Sequence, residues 1–155
     1  MDEQVITLGG GCFWCLEAVY ERVDGVVAVE SGYCNGHLAA PSYEQVCSGD
    51  SGHAEVVRVR FDTRRIGLRE VLEIFLAVHD ATTLNRQGND VGTQYRSGIY
   101  FDDAAQQVVA SQVLAEANAA LGGRVVTELL PLANYHRAED YHQHYFCLLY
   151  TSRCV

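Results

Sequence analysis

The chain has 155 residues, 48% of them apolar and 20% charged, a globular mix that excludes disorder and fibrous repeats. Eleven basic residues face twenty acidic ones for a net charge of −9, and every basic residue is arginine. Without lysine there is no Schiff-base, pyridoxal-phosphate or P-loop chemistry, and without a basic cluster no surface for nucleic acid.

The length suits a single domain, residues 1–155, that closes a core without using its six cysteines as staples. No stretch reaches the roughly 18 consecutive apolar residues of a membrane span. Met1-Asp2-Glu3-Gln4 is acidic where a signal peptide would be basic, so the expectation is a cytoplasmic protein with reduced thiols.

In chain order, Val5-Ile6-Thr7-Leu8 predicts a short strand broken by Gly9-Gly10-Gly11. Phe13, Leu16, Val19, Tyr20 and Val23 recur at helical spacing up to Gly25. Val26 to Tyr33 is β-branched and predicts a second strand, followed by a loop from Cys34 to Gly52. From Glu55 to Phe61 apolar and polar residues alternate, with Val57, Val59 and Phe61 on one face and Arg58 and Arg60 on the other. Leu68, Val71, Leu72, Phe75 and Leu76 form an amphipathic helix. A polar loop, Thr82 to Thr93, then leads into a strand over Arg96–Phe101.

Asp102 or Asp103 is set to cap a third helix, with Ala105, Val109, Val113, Ala117 and Leu121 in register and Gly122-Gly123 ending it. Val125–Leu130 is the last expected strand, before an aromatic, His-rich tail. The first six elements read β-α-β-β-α-β, the order of a split βαβ, ferredoxin-like core. Helices on one face of a mixed sheet make the class α+β.

Cys12 follows the glycines where the first helix opens, so its thiol is expected over unpaired N–H groups with its pKa lowered by the helix dipole. That is the placement of a nucleophile. Phe13 and Trp14 follow directly, suited either to the core or to an apolar socket for a small alkyl group. By strand parity Glu55 points inward with Val57, and burial would raise its pKa enough for general-acid work. Tyr95 shares parity with Ile99 and Phe101, which turns its phenol inward, and Tyr43 lies in the glycine-rich loop. His53 and His142 read as loop-holding groups rather than metal ligands. Cys12-x-x-Cys15 has the spacing of a redox or zinc pair, but Cys34 and Cys47 are too far apart to complete a zinc site.

G-C-F-W at 11–14, S-Y-E-Q-V-C-S-G at 42–49, G-H-A-E at 52–55, G-N-D-V-G-T-Q-Y-R-S at 88–97 and A-E-D-Y-H-Q at 138–143 together resemble peptide methionine sulfoxide reductase, A type. The motifs run in the family's order over nearly the whole chain. The resemblance implies a two-layer α/β sandwich that reduces methionine (S)-sulfoxide, free or in peptides and proteins. It also implies no metal and no cofactor, with thioredoxin as the external electron donor; separately, the chain is expected to be a monomer. Residue by residue, Cys12 would attack the sulfoxide sulfur and Glu55 would protonate its oxygen. Tyr43 and Tyr95 would hydrogen-bond that oxygen, Phe13 and Trp14 would house the methyl group, and Asp90 and His142 would complete a polar shell. The attack leaves Cys12 as a sulfenic acid that a thiol must reverse.

Two features depart from the family pattern. Cys15 stands where many members have glycine, and the tail 146–155 lacks the family's glycines. Cys154, near the end, is expected to resolve Cys12 through a disulfide, with Cys147 next and with Cys34 and Cys47, which flank the loop carrying Tyr43, as open alternatives. Cys15, one helical turn on, is expected to point away. The rival readings are a thioredoxin-like dithiol oxidoreductase using Cys12 and Cys15, and a zinc-binding module.

Overall fold

The computed structural model describes residues 2–37, 42–47 and 51–139. Its elements in chain order begin with β1 (Glu3–Gly9), α1 (Phe13–Tyr20), β2 (Val26–Cys34), α2 (Tyr43–Cys47), β3 (Ala54–Asp62) and α3 (Leu68–Val78). A two-stranded ribbon follows, β4 (Arg86–Gln87) and β5 (Asp90–Val91), and then a 3₁₀ turn at Thr93–Tyr95. The last elements are β6 (Gly98–Phe101), α4 (Ala104–Ala120), β7 (Glu128–Pro131) and β8 (His136–Arg137).

The main sheet has the order β7-β6-β1-β3-β2-β8. Its four central strands pair antiparallel in the 4-1-3-2 arrangement of a split βαβ core, while β6 and β7 pair in parallel, which makes the sheet mixed. α4 carries the β6–β7 crossover that a parallel pair requires.

Alternation decides which face is covered. Ile6 and Leu8 of β1, Val57, Val59 and Phe61 of β3, and Ile99 of β6 point to one side. There they pack with Phe13, Leu16 and Tyr20 of α1, Val71, Leu72 and Phe75 of α3, and Ala110 and Val113 of α4. The opposite face carries a smaller cluster, Cys34, Ala54, Val56 and Tyr100, covered by Leu132 and Tyr135. The architecture is the expected α+β one.

Several local expectations shift. α1 ends at Tyr20, before the turn that reaches Gly25. The strand expected over Arg96–Phe101 starts at Gly98, because Arg96 closes the 3₁₀ turn. The strand expected over Val125–Leu130 is shorter and shifted, Glu128–Pro131. Asp103 is the cap of α4, accepting the N–H of Gln106. The buried line of that helix is Gln106, Ala110 and Val113, since Gln106 spends its amide on the carbonyl of Val5.

Strand register places the ends of interest together. Tyr33 of β2 is directly opposite Glu55 of β3, Leu8 is opposite Val57, and Gly9 is opposite Gly98. The C-terminal ends of β1 and β2 therefore meet the N-terminal ends of β3 and β6. The glycine loop, α1 and the 3₁₀ turn all emerge at that edge. No helix among the described residues is long and apolar enough to cross a membrane.

Candidate active site

Gly11 has φ +93°, and a Cβ there would lie 2.8 Å from Cβ of Gln87 in the ribbon, so only glycine turns β1 into α1 here. Gly10 is closed from below by His79, whose ring sits 4.0 Å from that of Phe75 and whose Nε2 lies 2.7 Å from Oγ of Ser97. Burial holds that imidazole below its ordinary pKa, which suits a neutral prop.

Cys12 is the N-cap residue of α1, extended in backbone and half-buried. Its carbonyl accepts the N–H of Cys15 at 3.1 Å, closing the first turn. Cys15 stands one turn on, and its thiol is near enough to that of Cys12 for the two to influence each other's protonation, contrary to the expectation that Cys15 points away. Cys15 is exposed.

The pair titrates together. Cys12 is pushed up, first by sharing its proton with Cys15, then by burial and the nearby Glu55, with the Trp14 N–H pulling the other way. Cys15 is pulled down to about 7 by the hydrogen bond from Cys12, against burial and the charge of Asp90. The dipole expectation is thus corrected for the resting site: the helix end favours a thiolate, and water at Cys15 accommodates the charge better than the half-buried Cys12 does.

Glu55 is 1% exposed, as strand parity requires. Its Oε1 accepts the N–H of Phe13 at 3.3 Å, and its Oε2 is buried with no hydrogen-bond partner among the described residues. Burial raises its pKa to about 8, the Phe13 N–H opposes this, and Asp90 and Cys15 add to it. At neutral pH this carboxyl is largely an acid holding its proton.

An aromatic wall flanks the pair. The Phe13 ring lies 6.0 Å from Trp14, 5.7 Å from Tyr33 and 6.4 Å from Tyr43, and Trp14 lies 6.1 Å from Tyr43. Phe13 is fully buried, whereas Trp14 and Tyr43 are half-buried. Tyr43 begins α2, inside what the sequence presents as a loop. Glu139 fixes this wall: one carboxylate oxygen accepts the Tyr33 hydroxyl at 2.9 Å, and the other accepts the Tyr43 N–H at 3.0 Å.

Tyr95 is half-buried at the end of the 3₁₀ turn, so the strand parity that turned it inward does not apply. That turn still lies immediately before β6, at the same sheet edge. Asp90 is exposed on β5, and its charge reaches Glu55 and Cys15. His142, Cys147 and Cys154 lie outside the described residues. His53 holds a loop as expected, packed under Gly36 and edge-on to His136. Among the described residues no three His, Cys, Asp or Glu side chains gather to hold a metal.

Sequence reasoning missed Tyr33, Glu139, His79 and Gln87. Tyr33 was accessible through the two-residue alternation Val29-Ser31-Tyr33, and Glu139 stands in the A-E-D-Y-H-Q segment.

The family model described as peptide methionine sulfoxide reductase matches residues 4–154. The chain belongs to this family. A peptide methionine sulfoxide reductase MsrA of Saccharolobus solfataricus is 54% identical over 143 residues, covering 92% of this chain and 81% of the relative. Among solved structures, the reduced form of Mxr1 from Saccharomyces cerevisiae superposes with a TM-score of 0.90. It is 35% identical, over 99% of this chain and 87% of that one. Mxr1 in complex with Trx2 matches with a TM-score of 0.67 at 26% identity, over 93% of this chain and 85% of Mxr1. Membership in the family agrees with the architecture and with the gathering of Cys12 and Glu55 at one sheet edge.

Proposed function

We propose that this reductase converts methionine (S)-sulfoxide, free or within proteins, to methionine, with Cys12 as nucleophile and Glu55 as proton donor. The observation that carries the reading is the buried, protonated Glu55 tied to the first N–H of the helix that Cys12 caps. Sulfoxide sulfur becomes electrophilic when its oxygen is neutralised as sulfur attacks, so a nucleophile and an acid are needed together near pH 7.

The unpartnered Oε2 of Glu55 donates its proton to the sulfoxide oxygen, with the Tyr43 and Tyr95 hydroxyls as further donors. Cys12 attacks the sulfur and passes its own proton to the neighbouring Cys15 thiolate, with which it titrates. Collapse transfers the hydroxyl to Cys12 as a sulfenic acid and releases the thioether. Phe13 and Trp14 receive the substrate's methyl group, and Asp90 and His142 belong to the polar surroundings.

Oxidised Cys12 is returned by an external dithiol, for which thioredoxin is the donor suggested by the Trx2 complex of Mxr1. The free thiols Cys12, Cys15 and Cys34 suit a reducing compartment such as the cytoplasm.

The test is one turnover without reductant, using resolved sulfoxide epimers. The S epimer should yield one methionine per chain, and Cys12→Ser should yield none. Methionine formed by Cys12→Ser would remove the assignment.

A further inference from the structure

Among the described residues, Cys15 is the thiol that shares a helical turn with the proposed attacking sulfur, and the reduction itself leaves it unused as a redox group. Its N–H bonds the Cys12 carbonyl at 3.1 Å, which places the two residues in one turn, and the two thiols titrate as a coupled pair. Residues three apart in one helical turn bring their Cβ atoms to about 5–6 Å, and a disulfide needs about 3.5–4.5 Å. Closing the bond therefore draws the two residues together by roughly 1–2 Å, a shift that falls on Cys12 at the extended N-cap, outside the regular turns of α1. Cys15 is also exposed while Cys12 is half-buried, so a reductant meets Cys15 first. Cys34, by contrast, is fully buried on the opposite face of the sheet.

Resting on the reductase reading above, we propose that Cys15 is the resolving thiol of this enzyme, forming a Cys12–Cys15 disulfide after each sulfoxide reduction. The Cys15 sulfur attacks the sulfenic sulfur of Cys12. The S–S bond forms as the S–O bond breaks, and the hydroxyl leaves with the Cys15 proton as water. Cys15 is oxidised and the Cys12 sulfur reduced. A protein dithiol then attacks the exposed Cys15 sulfur, releases the Cys12 thiol, and closes its own disulfide as Cys15 leaves. Low-pKa thiols are both reactive nucleophiles and good leaving groups, which fits both steps.

The experiment is a single turnover without reductant, quenched with acid, peptide-mapped for disulfides and assayed for methionine in the same sample. Wild type and a Cys147→Ser/Cys154→Ser variant should both give stoichiometric methionine and a near-stoichiometric Cys12–Cys15 linkage. Adding Cys15→Ser should slow methionine formation, because the Cys12 proton loses its acceptor, yet still yield one methionine per chain and leave Cys12 as a sulfenic acid, trapped by a 1,3-diketone probe. A wild-type map linking Cys12 to Cys147, Cys154 or Cys47 would overturn the assignment. So would sulfenic acid accumulating in the tail variant. Absence of methionine from the wild-type sample would overturn the reductase reading and this proposal with it.

Discussion

The backbone N–H of Phe13 donates to Oε1 of Glu55 at 3.3 Å, tying this carboxyl to the helix that Cys12 caps. The N–H and the helix end favour the carboxylate, and burial favours the acid. Burial wins, leaving Glu55 near 8. One geometric constraint thereby sets both the position of the proton and its availability.

A bell-shaped pH dependence follows for single-turnover methionine formation at sub-saturating sulfoxide, where no reductant thiol titrates. The acid limb should track the first proton of the Cys12–Cys15 pair, near 7, and the alkaline limb Glu55, near 8. Glu55→Gln should lower the maximum on the order of 10²–10⁴-fold and abolish the alkaline limb. An alkaline limb that persists in the variant belongs to another group.

The same acid makes stability pH-dependent. Its folded pKa of about 8 lies above the ordinary 4.5, so between those values the folded chain holds a proton the unfolded chain has lost. Stability from this group is complete below the ordinary value and falls as pH rises toward 8. From pH 5 to 7 the loss should be about 2.5 kcal/mol relative to Glu55→Gln. Urea unfolding of both proteins across that range reads the difference directly, because other titrating groups cancel. Equal pH slopes would mean the carboxyl ionises freely.

Tyr33 and Glu139 are 106 residues apart in sequence, yet their bond holds the aromatic wall against α2. Tyr33→Phe keeps the ring beside Phe13 and removes the hydroxyl from a carboxylate. A hydrogen bond to a charged group contributes about 1.5–3 kcal/mol, so a loss of that order is expected in urea unfolding. With Tyr43 less firmly placed, KM for the sulfoxide should rise more than kcat falls. An unaltered KM would separate Glu139 from the site.

The split βαβ order was legible because each element carries a single clear period, as in Val57-Val59-Phe61 and Leu68-Val71-Leu72-Phe75. Glu55 was legible for the same reason: strand parity places it, and a buried carboxyl stands out among valines. Tyr95 was misread because Arg96 and Ser97 look like strand, while the 3₁₀ turn before them depends on contacts the local sequence does not encode. The Tyr33–Glu139 bond was hidden by its sequence separation. The Cys12 thiol was misjudged because the dipole argument considered the helix end alone. The deciding neighbours are a thiol one turn on and a carboxyl on another strand.

Trp14 tests the socket. It covers Phe13 and Tyr43 with ring separations of 6.0 and 6.1 Å and remains half-buried, the arrangement of a wall that a substrate completes. An apolar pocket discriminates one methylene by about 1–3 kcal/mol, or roughly 10–200-fold in kcat/KM. Wild type should therefore favour methyl over ethyl sulfoxides within that range. Trp14→Ala should lower kcat/KM for the methyl substrate and shrink the preference to a few-fold, because the removed ring leaves room for the larger group. Parallel assays on both sulfoxides, with circular dichroism to verify the fold, make the comparison. A variant that loses activity equally toward both would assign Trp14 to packing of α1 rather than to recognition of the methyl group.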